Sequence, residues 1–176
     1  MNGVLTMDEP LNTAAESFDA LYRDCARDLY AYVRTLLGDD SAAEDVTALA
    51  FERAYRRRSS FDEHRGSRRG WLFGIARNAA LDELRRRRRL APLIGDLPDE
   101  LAGPPEEEAE LALRRTTVRA ALASLPARDR ELVALKFHGG LTNAELAVVL
   151  GTSETNAGTR VHRAVTKLRK ACNAPA

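Results

Sequence analysis

Five consecutive arginines, Arg85 to Arg89, close the segment WLFGIARNAALDELRRRRR that begins at Trp71. Neighbouring guanidiniums repel one another, and a polyanion relieves that repulsion. Apolar residues recur at Leu72, Ile75, Ala76, Ala79 and Leu84 with helical spacing, while Arg77, Asn78, Asp82 and the run lie off that stripe or beyond its end. One face can bury in a core and the other can meet something anionic. Nucleic acid is the first candidate, and a solvated charged helix end is the plainer reading.

A second basic helix is written near the C-terminus. NAELAVVL is followed by Gly151 and then by a helix opening at Ser153, with Arg160, Arg163, Lys167, Arg169 and Lys170 along it. A short helix, a glycine turn and a basic helix is the helix-turn-helix pattern, whose second helix enters a DNA major groove. Ser153 at its cap, then Glu154, Thr155, Asn156 and Thr159, stand where base edges are met. Arg160, Arg163 and Lys167 stand where bases or flanking phosphates are met. An ordinary helical hairpin is the alternative.

The 27 basic and 26 acidic residues give a net charge of +1, which hides a strong segregation. Thirteen arginines against four acids lie between Arg53 and Arg89; seven acids and no basic residue lie between Leu90 and Ala112. Such asymmetry points to a polyanionic partner. Cys25 and Cys172 belong to no CxxC pair, so neither a zinc site nor a disulfide framework is written here, and Cys25 reads as a small buried hydrophobe. His64, His138 and His162 are isolated, without an acid pair at metal spacing or a glycine-rich phosphate loop. An enzyme acting on nucleic acid is therefore disfavoured, and no cofactor or metal is expected. No apolar run approaches a membrane span, and no signal pattern opens the chain, so the reading is cytoplasmic.

The elements that must position these residues are all helices. Residues 1–13 read as a mobile tail, with Met7 a possible alternative start. Helical periodicity runs from 14 to Gly38 through Phe18, Leu21, Tyr22, Cys25, Leu29, Val33, Leu36 and Leu37. Ser41 and Glu44 form a capping-box pattern for a second helix reaching about Arg58. A loop over Ser59–Arg69 carries His64, Arg65, Arg68 and Arg69. The Pro- and Gly-rich acidic stretch 90–110 marks a linker. A helix through Leu111, Leu113, Val118, Ala121 and Leu122 follows, then one opened by Pro126 and broken at Gly139-Gly140, then a capping box at Thr142 and Glu145. No stretch alternates in the strand pattern. The expected fold is all-α, with helical domains over 14–89 and 111–172.

Both basic anchors, in this order, resemble an extracytoplasmic-function (ECF) sigma factor of bacterial RNA polymerase, in the sigma-70 family. AEDVTALAFERAYRR, Ala43 to Arg57, looks like the family's core-binding helix. RGSRRGWLFGIARNAALDELRRRRR, Arg65 to Arg89, looks like its −10 region. LASLPARDRELVALKFHGGLTNAELAVVLGTS and TRVHRAVTKLRK look like its −35 domain. The resemblance implies docking on the β′ clamp helices through Glu44, Asp45, Leu49, Glu52 and Arg53, and contact of the second domain with the β flap. It implies single-strand reading of −10 DNA by Arg65, Arg68, Arg69, Trp71, Arg77, Asn78, Asp82, Arg85 and Arg86, with Asn78 matching the family position that lines a flipped-base pocket. Trp71 is open between base stacking and core, with core favoured. Many relatives are held by an anti-sigma factor, which the sequence neither reveals nor excludes.

Two departures stand out. Ala48 and Leu49 replace the family's polar pair on the core-binding helix. Ala157-Gly158-Thr159 replaces a Val-Lys-Ser before the recognition arginine, at a helix-propensity cost of about 0.8–1 kcal/mol for the glycine. A stand-alone helix-turn-helix regulator is the competing function; it would have no use for a single-strand pocket at Asn78.

Overall fold

The computed structural model describes residues 9–94 and 109–173. The expected linker, but for its two ends, and most of the expected tail lie outside those residues. Seven α-helices and no strand are found among the described residues: α1 (Glu9–Leu37), α2 (Asp40–Arg56), α3 (Arg68–Ile94), α4 (Ala109–Ser124), α5 (Ala127–Phe137), α6 (Asn143–Leu150) and α7 (Glu154–Cys172). The all-α expectation holds. Helix α1 opens at Glu9, inside the stretch expected to be a tail.

Helix α1 buries Leu21, Cys25, Leu29, Tyr32, Val33 and Leu37. Tyr32 packs on Phe73 of α3 with ring centroids 5.5 Å apart, whereas Tyr22, expected on the buried stripe, is 53% exposed. Tyr22 instead joins an aromatic group at the rim, its ring 4.7 Å from Phe51. Gly38 ends the helix in a left-handed conformation, φ 68°, with its N–H on Arg34 O. That turn is so tight that α2 restarts at once. Asp39, not Ser41, becomes its cap, its carboxylate accepting from Ala42 N at 2.8 Å.

Two 3-10 turns, Arg58–Ser60 and Glu63–Arg65, fall in or at the edge of the stretch expected as loop. Gly66 follows with φ 139°, a conformation that side-chain-bearing residues rarely adopt. Arg68 and Arg69 belong to the first turn of α3, which Ser67 caps by accepting from Gly70 N at 3.0 Å. Leu72, Phe73, Ala76, Ala79 and Ala80 bury against α1 and α2. The helix does not stop at the arginine run but continues to Ile94. Pairs one helical turn apart offset the self-repulsion: Arg85–Asp82 at 3.0 Å, Arg86–Glu83 at 2.7 Å and Arg87–Glu83 at 2.9 Å. Those pairs hold the Glu83 carboxyl below its usual range, with the Arg86 hydrogen bond the largest cause.

The second group of helices, α4 to α7, is built on Leu125, Leu132, Val133, Leu135, Leu141, Leu146, Val161 and Ala164. Thr142 and Glu145 form the expected capping box on α6. Gly151, φ 63°, ends α6, and Ser153 caps α7. Helix α4 departs from expectation: Leu113 and Val118 are 67% and 43% exposed. The two groups pack directly on each other, α5 on α1 and α6 on α3, and share one continuous core.

Candidate nucleic-acid and polymerase interfaces

The −10 candidates gather along one edge of α3 and the turns before it. Phe61 lies ten residues before Trp71 in an otherwise polar stretch, and the two rings stand 5.5 Å apart. Arg68 places its guanidinium 5.3 Å from the Phe61 centroid. Beside this pair is a cavity of about 220 Å³ lined by Phe61, Arg65, Ser67, Trp71 and, from α6, Glu145 and Val148. Trp71 is half-buried, with one flank on the core and another on this cavity. The solitary Phe61 was the one signal in the sequence that could have pointed to it.

Asn78 is exposed on the same helix, and its side chain has no hydrogen-bond partner among the described residues. Its amide can therefore donate and accept outward. Arg65 is exposed too. Asp82 is occupied by Arg85, and Arg86 by Glu83.

Arg69 and Arg77 point elsewhere than expected, Arg69 between α1 and the loop after α5, and Arg77 toward α5. Arg69 binds Asp28 at 2.5 Å, the His138 carbonyl at 3.1 Å, and the Gly139 carbonyl. Its guanidinium also lies 3.5 Å from Cys25 Sγ. Cys25 is buried as expected, and burial pushes its thiol up despite that arginine. Arg77 Nε donates to Glu131 Oε1 at 2.6 Å, and Glu131 is the single buried charged residue among those described. Glu145 accepts from the Ser67 hydroxyl as well as from Thr142 N at 2.7 Å. Burial raises the Glu145 carboxyl, but those donors outweigh it and hold the group below its ordinary range. Sequence reasoning missed Glu131 and Glu145 in these roles because each lies far along the chain from the residue it meets.

On α7, Ser153, Glu154, Thr155, Asn156, Thr159 and Arg163 are exposed and Arg160 is half-buried. Ser153 spends its hydroxyl on the cap, Asn156 donates to Thr152 at 2.8 Å, and Thr159 donates to the Thr155 carbonyl at 2.9 Å. Lys167 is exposed and pairs with Asp129 at 2.6 Å. Gly158 has a packing role: a Cβ there would stand 3.1 Å from Asn143 Nδ2 at the start of α6. The glycine lets the two helices of the motif cross closely.

On α2, Glu44, Asp45, Ala48 and Glu52 are exposed, and Arg53 is half-buried. Glu52 pairs with Arg56 at 2.7 Å. Leu49 is half-buried against the core, so its apolar character is partly spent inside the bundle.

The matches to known proteins follow the same two groups. The sequence model of Sigma-70 region 2 matches residues 21–90, and that of Sigma-70 region 4 matches 115–168. The ECF RNA polymerase sigma factor SigL of Mycobacterium tuberculosis is 34% identical over 154 residues, 85% of either chain. The chain belongs to the ECF sigma factors. It is a promoter-directing sigma subunit of RNA polymerase. The ECF sigma factor SigM of Bacillus subtilis is 27% identical over 89% of this sigma factor and 96% of SigM. Among solved structures, the sigma factor RpoE of Bartonella quintana, in complex with the anti-sigma factor NepR, has the same fold, with TM-score 0.75 at 22% identity over 92% of this chain and 99% of that one. CnrH, in complex with the cytosolic domain of CnrY, gives 0.67 at 24% identity over 94% and 96%. No helix among the described residues is long and apolar enough to cross a membrane.

Proposed function

We propose that the two basic faces divide promoter reading between them. The edge of α3 with Phe61, Arg65, Trp71 and Asn78 takes the −10 element as single strand, and the exposed half of α7 takes the −35 element as duplex. The observation that carries this is the exposed amide of Asn78, flanked by buried residues on the helix whose first turn carries the aromatic cavity. Stacking holds an unpaired base and the amide reads its edge. Arg88 and Arg89, exposed at the far end of α3, add an electrostatic track along the backbone. Glu44, Asp45 and Glu52 on α2 offer carboxylates to the β′ clamp helices, and the helix-turn-helix domain offers a second contact to the β flap. The chemistry of transcription remains the polymerase's own.

An anti-sigma partner is a further part of this reading. Between α1 and α4 lies a cleft of about 510 Å³ lined by Arg27, Tyr30, Arg34, Val118, Arg119 and Leu122, among others. Its apolar floor and arginine rim suit an acidic amphipathic helix. The test of the whole reading is in vitro transcription with core polymerase and this chain on a genomic library. Defined start sites with shared −35 and −10 sequences support it. Duplex binding without polymerase co-elution or transcript would favour the stand-alone regulator.

A further inference from the structure

The C-terminal end of α2 carries aromatic rings that the fold only half buries. Phe18 and Tyr22 of α1 meet Phe51 and Tyr55 of α2, with the Tyr22 ring 4.7 Å from Phe51 and the Phe18 ring edge-on to Tyr55 at 5.2 Å. Phe51 is buried, yet Tyr22 and Tyr55 are 53% and 45% exposed. Arg56, Arg57 and Arg58 follow directly and are all exposed. The nearest acids along the chain are taken: Glu52 pairs with Arg56, and Asp62 accepts from His64 N. No acid pairs with Arg57 or Arg58 among the described residues. The Arg58 guanidinium lies over the Tyr55 ring, 4.2 Å from its centroid, and is held there by Nη1 donating to the Tyr55 carbonyl at 2.8 Å. Arg68 and Phe61 make the same kind of pair at the cavity, 5.3 Å apart. The two pairs are neighbours, because Phe61 N donates to the Arg58 carbonyl at 3.4 Å.

Resting on the promoter-reading assignment above, we infer that Tyr55 and Arg58 form a second stacking platform for single-stranded DNA, which takes one unpaired non-template base flanking the −10 element. Bases stack on aromatic rings and on guanidinium planes alike, and here the two are layered, with the Phe18 edge propping the ring from inside. Arg57 and Arg58 neutralise the phosphates beside that base. The platform tolerates any base, since every base offers a π face, so it adds affinity and strand path without adding sequence to the promoter. Charge decides the occupant. The unpaired arginines at this corner suit a polyanion, whereas the carboxylates of Glu44, Asp45 and Glu52 farther back on α2 suit the polymerase.

Holoenzyme assembled from core polymerase and the full-length Tyr55→Leu chain tests it, on non-template oligonucleotides of a mapped promoter. Leucine keeps an apolar contact with Phe18 and removes the ring. The variant should bind an oligonucleotide confined to the −10 element as wild type does. It should bind one extended on both sides about tenfold more weakly than wild type, the scale of one lost stack. Tyr55→Trp should restore that affinity. An abasic site at one flanking position should weaken wild type by the same factor and leave Tyr55→Leu unaffected. Arg58→Gln, a change at an exposed residue, should lower the logarithmic salt slope for the extended oligonucleotide by about 0.7, one phosphate's worth on a single strand. Equal affinity of wild type and a folded Tyr55→Leu chain for the extended oligonucleotide overturns the inference. So does strict additivity of Tyr55→Leu with every flanking abasic site, or an unchanged salt slope in Arg58→Gln. Weaker co-elution of Tyr55→Leu with core polymerase also overturns it and places the ring on the polymerase face. Failure of the promoter-reading assignment would look different: wild-type holoenzyme would bind the −10 oligonucleotide no better than a scrambled one.

Discussion

Arg77 Nε lies 2.6 Å from Glu131 Oε1, joining residues 54 positions apart in the chain. The arginine is about a quarter exposed and the carboxylate a tenth, so the pair is only partly screened by water. Removing one partner from such a pair leaves a charge without compensation, which is costlier than removing both.

Arg77→Ala should therefore destabilise the chain by about 2–4 kcal/mol, below the full cost of a buried pair because Arg77 is partly wet. Arg77→Ala combined with Glu131→Leu should recover much of that loss. Urea titrations of the two variants check both statements. Equal stability of the single and double variants would mean that the carboxylate is satisfied by solvent.

Asn78 is exposed and touches nothing in the core. Asn78→Ala should leave thermal stability and polymerase co-elution unchanged while lowering open-complex formation about tenfold, the scale of one lost base-edge contact. Permanganate footprinting of the −10 region reads the effect directly. A parallel loss of polymerase binding would place Asn78 in the fold instead.

Gly158 can be tested for its packing role without DNA. Alanine there gains about 0.8–1 kcal/mol of helix propensity but presses on the Asn143 amide. Gly158→Ala alone should gain less than that, and Gly158→Ala with Asn143→Ala should gain more than the sum of the two single changes. A double-mutant cycle in urea measures the coupling, and strict additivity would show that the two residues do not press on each other.

His138 stands at the junction of α5 with α1, its Nε2 3.4 Å from Thr35 Oγ1. Burial holds its pKa below the ordinary 6.5, with Asp28 offsetting part of the shift. The folded state then binds fewer protons than the unfolded chain just below pH 6.5. The contribution is fully present above that value and is lost as pH falls through the depressed one. Melting temperature should drop between about pH 7 and 5.5 in wild type, and the drop should flatten in His138→Gln. A slope unchanged by the substitution would assign it to other groups.

Local signals were legible in the sequence wherever one residue decides the geometry. Thr142 with Glu145, Gly151 and Ser153 fix the helix-turn-helix within a few residues, and the structure places all of them as read. Asp39 was not legible against Ser41, because both can cap and only the left-handed turn at Gly38 decides between them. Tyr22 and Tyr32 are both at plausible helical spacing; which one buries depends on where α3 crosses α1. The end of α3 was read at Arg89 because the Pro- and Gly-rich stretch that follows marks a linker, whereas the helix runs on to Ile94. Of the candidate DNA-facing residues, exposure of Asn78 and of the α7 face follows from periodicity. The capture of Arg69 by Asp28 of α1 and of Arg77 by Glu131 of α5 does not, since a chain-distant acid leaves no trace in a local pattern.

Asp39 has a mechanical consequence. It caps α2 through Ala42 N at 2.8 Å and, with its other oxygen, binds Arg87 of α3 at 3.2 Å. One carboxylate therefore pins the root of the helix that bears Glu44 and Asp45 to the arginine-rich stem of the helix that bears Asn78. The joint has little slack, because Arg87 also reaches the Leu37 carbonyl at the end of α1. The three helices form a truss riveted at this corner. A load on the outer edge of α2 has a direct path through this corner to the stem of α3.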